Sequence, residues 1–164
     1  MEKTRGFEVC KGYENKDISL PKRSTKNSAG YDFTAAEDVT IPPFKPGDNP
    51  TLIKTGIKAY MLPDEMLCLY NRSSNPKKKG LVLANGVGVV DSDYYGNPDN
   101  DGLICFAFYN IKDEECIINK GDKIGQGKES VKEYLKKNPK VFEELDKKVR
   151  EFYDIVPNKK EEKK

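Results

Sequence analysis

Up to residue 127 the apolar segments are short, and Pro, Gly, Asn or Asp separates them. Short apolar runs bounded by turn formers are the pattern of strands, so this part of the chain reads as all β. The expected strands are 17–20, 31–35, 38–41, 51–60, 65–70, 81–84, 88–91, 103–110 and 115–119. Strands of this length at this spacing point to a barrel or jelly roll. Leu103–Tyr109 is apolar at nearly every position, so it is expected to be buried on both faces, one of them at a subunit contact. Pro42-Pro43 with Pro46-Gly47-Asp48, and Asn97-Pro98-Asp99-Asn100-Asp101-Gly102, read as turn-rich loops.

After Gly127 the period changes. Val131, Tyr134 and Leu135, then Val141, Phe142, Leu145, Val149 and Phe152, follow helical spacing. Asn138-Pro139 separates the two patterns and suits a helix start. The expected layout is a β domain over 1–127 and a charged helical tail over 128–164. Residues 157–164 are expected to be disordered. Charge divides at the same place. Residues 1–127 carry 17 Lys+Arg against 18 Asp+Glu, and residues 128–164 carry 12 against 9. Lys and Glu interleave in the tail and leave no clean basic face, so nucleic acid is not an expected partner.

Composition narrows the chemistry. The 164 residues fit one domain with a modest core. No apolar run approaches the ~18 residues that cross a bilayer, and Met1–Arg5 leads into no apolar signal core. A cytoplasmic protein is expected. The chain has no histidine, which excludes His-based triads and His-ligated metals. Proton transfer near neutral pH falls to Asp, Glu, Lys, Tyr, Cys or a metal-bound water. Cys10, Cys68, Cys105 and Cys116 form no C-x-x-C pair, so zinc is not expected.

Four blocks follow one another: Ala29-Gly30-Tyr31-Asp32-Phe33-Thr34-Ala35, Asn71-Arg72-Ser73-Ser74-Asn75, Asn85-Gly86-Val87-Gly88-Val89-Val90-Asp91-Ser92-Asp93-Tyr94-Tyr95-Gly96, and Gly121-Asp122-Lys123-Ile124-Gly125-Gln126. Singly, each has an ordinary explanation: a polar turn, a strand with a glycine bend, an acidic hairpin loop, a turn into a strand. In this order and spacing they resemble motifs one to four of the trimeric dUTPase family, over residues 5–127.

The resemblance implies an all-β, jelly-roll homotrimer with active sites at subunit interfaces, hydrolysing dUTP to dUMP and pyrophosphate. Asp91 matches the carboxylate that activates water for attack on the α-phosphorus. Tyr94 matches the tyrosine under the deoxyribose, where a flat ring leaves no room for a 2′-hydroxyl. Asn85 matches the residue that reads the uracil edge, since its amide offers a donor and an acceptor. The backbone from Asn85 through Gly88 to Val90 would complete that pairing. Arg72, Ser73 and Ser74 match the phosphate clamp, and Gln126 a further phosphate contact. Asp32 matches the first-motif aspartate near the metal, reached through water. Mg²⁺ is the implied cofactor, held mainly by phosphate oxygens and waters.

The family's fifth motif, an arm of the form Arg-x-Gly-Gly-Phe-Gly-Ser-Thr-Gly, has no counterpart, and residues 128–164 contain no glycine. The stretches Gly121–Leu135 and Glu143–Glu151 with Asn138-Pro139 instead resemble part of the C-terminal domain of RecA recombinase. That likeness implies a chimera joined at a shared Gly-Asp-Lys-Ile-Gly-Gln-Gly string. No G-x-x-x-x-G-K-[ST] is present, so ATPase activity is not implied. Weakened turnover is expected. The alternatives are a protein that binds dUTP but hydrolyses it poorly, an interaction module on an inert trimer, and a dCTP deaminase. The last ranks low because Asp91–Gly96 follows the dUTPase form of motif three.

Overall fold

The computed structural model describes residues 4–128, all of which fall in one compact unit, Met1–Glu129. The helices and the RecA-like stretch expected after residue 128 lie outside the described residues. The fold is mostly β. Its strands are β1 (Gly6–Val9), β2 (Gly30–Thr34), β3 (Val39–Ile41), β4 (Thr51–Lys54), β5 (Ile57–Tyr60), β6 (Met66–Asn71), β7 (Leu81–Leu83), β8 (Val87–Asp91), β9 (Cys105–Asn110), β10 (Cys116–Ile118) and β11 (Lys123–Lys128). A π-helical turn, Asn75–Lys79, and a 3-10 turn, Ser92–Tyr94, interrupt them.

Four antiparallel sheets result: β1-β5, β10-β3, β2-β11-β6-β8 and β4-β9-β7. Between them lies one core that includes Phe33, Ile41, Ile53, Ile57, Leu69, Leu81, Ile104, Phe106, Phe108, Ile118 and Ile124. Among the described residues no helix is long and apolar enough to cross a membrane. The four cysteines are free thiols. Burial pushes the Cys10 thiol up to about 11.

Several expected strands are redrawn. Residues 17–20 form no strand; Asp17 sits at φ 49 and the chain bridges to β2 only at Lys22↔Asp32. The run 51–60 is two strands, because β4 pairs with β9 and β5 with β1. The buried Thr55 fixes the break: its hydroxyl donates to Ile104 O at 2.7 Å and accepts from Ile57 N at 3.1 Å. Alternation in β9 sends Phe106, Phe108 and Asn110 inward and leaves Cys105, Ala107 and Tyr109 half-buried. Within one chain the run is thus fully buried on one face and half-buried on the other, where Leu52, opposite Ala107, is 57% exposed.

β1 and β11 had no place among the expected strands. β11 is central, paired on both sides with β2 and β6, although its sequence is Lys-Ile-Gly-Gln-Gly-Lys. Two glycines argue against a strand by propensity. Here the ring of Phe106 lies against Gly125: a Cβ would sit 1.9 Å from its Cε1. Packing therefore demands what propensity disfavours. Gly125→Ala is expected to destabilise the fold by about 1–3 kcal/mol, since the Phe106 ring must leave its place in a filled core. Thermal unfolding measures it; an unchanged melting temperature would mean that the ring yields freely.

Candidate active site

The sequence-derived site residues fall into two groups on the four-stranded sheet. The first is built on β2, β11 and the end of β6. Asp32 pairs with Gln126 across β2 and β11, which turns both side chains to one face. The Asp32 side chain is only 7% exposed. It accepts hydrogen bonds from Lys123 Nζ at 2.8 Å, from Gln126 Nε2 at 3.3 Å and from the Ser24 hydroxyl. Burial alone would raise its pKa; the bonds from Lys123, Ser24 and Gln126 outweigh burial and hold it below the ordinary 3.8. The depressed value means that this charge stabilises the fold above the ordinary carboxylate range. The contribution is lost as the pH falls through the lower folded value. Lys123 and Ser24 carried no role in the sequence reading. Lys123 was visible inside the fourth block, but Ser24 lies in an unremarkable polar run.

Arg72, Ser73 and Ser74 follow β6 and lead into the π-helical turn. The Arg72 guanidinium donates to Lys123 O at 3.4 Å, which joins it to the Asp32 group. The turn is held from below by Asn75, only 3% exposed. Its backbone N–H donates to Arg72 O at 3.0 Å, and its amide donates to Asn71 Oδ1 and to Ile124 O, each at 2.8 Å. Asn71 in turn donates to Leu81 O at 2.8 Å. The two asparagines that flank Arg-Ser-Ser thus clip it to β11 and β7. Both stand in the second block, yet local sequence assigns neither a role, because Ile124 and Leu81 are distant in the chain.

The second group lies along β8. Asn85 is exposed in the turn before it, and its carbonyl accepts from Val87 N at 2.7 Å. Gly88 leaves room beside it: a Cβ there would lie 3.3 Å from Asn85 Nδ2 and 3.2 Å from Leu69 Cβ. Val90 is buried in the core, which leaves its backbone alone to serve at the strand edge. In the sheet order, β8 is an edge strand paired only with β6, while β7 departs to pair with β9. The outer backbone edge of β8 therefore has no strand partner among the described residues, and its N–H and C=O groups alternate along it. Asp91 ends β8, exposed, and starts the 3-10 turn without a side-chain capping bond. Tyr94 ends that turn, half-buried, its ring packed against the core.

Register separates the two groups. Asp91 lies opposite Met66 at the start of β6, whereas Arg72 follows Asn71 at its end. At about 3.3 Å per residue, they stand roughly 20 Å apart along one strand. Among the described residues no group of three or more Cys, Asp and Glu could cage a metal. Asp32, ionised but already accepting three bonds, suits a hydrated ion better than a direct ligand role.

Known proteins carry the same pattern. The family model described as dUTPase matches residues 16–140. A deoxyuridine 5'-triphosphate nucleotidohydrolase of Lactococcus lactis subsp. lactis is 56% identical over 125 residues, covering 76% of this chain and 81% of the relative. One of Hahella chejuensis is 37% identical over 113 residues, covering 67% of this chain and 68% of its own. The crystal structure of dUTPase from Streptococcus mutans superposes with a TM-score of 0.71 at 44% identity, over 76% of this chain and 94% of that one. A mutant dUTPase of phage phi11 of S. aureus, described with a structural Mg(II) ion, shares the fold at a TM-score of 0.60 and 22% identity, over 77% of this chain and 90% of its own. With these matches the four motifs, the sheet that presents them and the mostly-β core have one common explanation: the chain belongs to the dUTPase family.

Proposed function

We propose that this chain hydrolyses dUTP to dUMP and pyrophosphate, as a homotrimer whose active sites lie between subunits. The observation that carries the reading is the open edge of β8, with Asn85 at one end and Asp91 and Tyr94 at the other. Such an edge offers alternating donors and acceptors to the imide edge of uracil, and Asn85 adds its amide. The Tyr94 ring lies under C2′ and leaves no space for a hydroxyl. Asp91 accepts a proton from water as that oxygen bonds to the α-phosphorus. The bond from the α-phosphorus to its bridging oxygen breaks, and pyrophosphate leaves with the electron pair. Arg72, Ser73, Ser74 and Gln126 hold the phosphates. Asp32 would hold hydrated Mg²⁺ through water, and the ion, when bound, supplies positive charge against the triphosphate.

The roughly 20 Å between Asp91 and Arg72 supports sharing of the site. Asp91 must come within one water of the α-phosphorus, so the clamp beside it fits best when a second copy supplies it. The half-exposed outer face of β9, with Leu52 beside it, supports burial between subunits. The β domain over 1–127 is read as a jelly-roll barrel, and the sequence of residues 128–164, RecA-like and helical in its spacing, takes the place of motif five. Turnover is therefore weak. The family fits a cytoplasmic enzyme that lowers uracil entry into DNA and supplies dUMP. The absence of glycine from residues 128–164 also favours a second reading, a protein that binds dUTP and turns it over poorly.

Pyrophosphate release from dUTP and UTP, measured on the parent and on Tyr94→Ala, tests the assignment. The parent is expected to prefer dUTP, and Tyr94→Ala to lose about tenfold or more of that preference, as space opens under C2′. A parent that releases no pyrophosphate and binds no non-hydrolysable dUTP analogue would sink both readings. Equal rejection of UTP by both proteins would move sugar recognition away from Tyr94.

A further inference from the structure

We propose that Asn100 is a positioning residue for sugar selectivity, holding the Tyr94 ring in the pose that rejects a 2′-hydroxyl; this rests on the assignment of Tyr94 to the deoxyribose. A phenol has one proton to donate and lone pairs to accept with. The Tyr94 hydroxyl donates to Leu103 O at 3.3 Å and accepts from Asn100 Nδ2 at 2.7 Å. Both bonds stay within the chain and hold the tip of a ring that is only half-buried. The tyrosine χ2 torsion is broad and does not hold a ring by itself. The O–H lies in the ring plane, so partners on either side of it fix both the ring tip and its tilt.

Asn100 is itself oriented. Its Oδ1 accepts from Gly102 N at 3.0 Å and from Asn97 Nδ2 at 2.9 Å, which leaves Nδ2 to face Tyr94. Asn97 braces the same loop: its Oδ1 accepts from Asp99 N and Asn100 N, each at 3.1 Å, and its amide also donates to Tyr94 O at 2.8 Å. Gly102 brings the chain back under Tyr94 at φ 84, where a Cβ would lie 2.7 Å from Tyr94 O. Asp101 ties the loop down, accepting from Lys58 Nζ at 2.7 Å and from Lys11 N at 2.8 Å. The loop 97–102 is thus an anchored cradle whose only side chain bonded to the Tyr94 hydroxyl, among the described bonds, is Asn100. A ring free to swing by about 1 Å would admit the hydroxyl it is there to exclude.

The test measures kcat/KM for dUTP and for UTP on the parent, Asn100→Ala, Tyr94→Phe and the double variant. Asn100→Ala is expected to lower the dUTP:UTP ratio by roughly three- to tenfold, the worth of one hydrogen bond, and Tyr94→Phe by at least as much, since it also gives up the bond to Leu103 O. The double variant should fall no further than Tyr94→Phe alone, because the Asn100 contact is already gone once the hydroxyl is removed. A merely structural role for Asn100 would lower both substrates in proportion and keep the ratio, which overturns the proposal. If Asn100→Ala does not fold, Tyr94→Phe decides: a ratio equal to the parent's overturns it too. A parent without preference for dUTP refutes the sugar-reading role of Tyr94 itself. A selective parent whose variants stay equally selective refutes only the role of Asn100.

Discussion

Asp91→Asn lowers kcat for dUTP by about 10²–10⁴-fold and leaves folding and nucleotide binding close to those of the parent. The size of the loss follows from the chemistry. Without histidine, the proton of the attacking water has few possible acceptors, and an amide is not one of them. The small structural effect follows from the position. Asp91 is exposed at the end of β8 and makes no capping bond to the turn it begins, so an amide of the same shape disturbs nothing beneath it. The backbone pairing with Met66 does not depend on the side chain. Steady-state kinetics with dUTP, paired with binding of a non-hydrolysable analogue, separates the two effects. Turnover at the parent rate would remove Asp91 from the mechanism. Loss of analogue binding together with turnover would make it a binding group.

Replacing residues 128–164 with an arm carrying Arg-x-Gly-Gly-Phe-Gly-Ser-Thr-Gly raises kcat/KM for dUTP about 10³-fold or more. An arginine that stabilises transferring phosphate is worth that much in other phosphoryl-transfer enzymes. Closure over the nucleotide also excludes water from the site. The graft leaves the groups on the sheet in place. β11 is paired on both sides up to Gly127, so the junction falls at the last residue of a strand already locked in register. Asp32, Arg72, Asn85 and Asp91 all lie before it. Pyrophosphate release by the grafted and parent chains measures the gain. A grafted chain that is folded, trimeric and inert toward dUTP would contradict the competence of residues 5–127 as a catalytic core.

What the sequence disclosed and what it hid have separate physical causes. β2, β6 and β8 were legible because each is a short, mostly apolar segment bounded by turn formers. Asp91, Tyr94 and Asn85 were legible because one short stretch carries all three. β11 was hidden because Gly125 answers to the Phe106 ring, a contact no local pattern announces. The run 51–60 looked continuous because its break is enforced by Thr55 bonding to Ile104, far along the chain. The same distance hid the roles of Lys123 and Asn75: Lys123 meets Asp32 across 91 residues, and Asn75 meets Ile124 across 49. The separation of Asp91 from Arg72 appears only once the register of β6 and β8 is known.

That separation allows a direct test by mixing two nearly inactive chains, Asp91→Asn and Arg72→Ala. The two variants are co-expressed with different tags, and trimers carrying both tags are purified and assayed for pyrophosphate release from dUTP. If Asp91 of one copy works with Arg72 of another, mixed trimers contain sites in which both residues are intact. Each purified mixed trimer, whichever variant is in the majority, then has one such site in three, so roughly a third of the parent activity is restored. If each site is built within one chain, every site in the mixture lacks one of the two residues. Activity of the purified mixed trimers no higher than that of the separate variants would contradict the shared site.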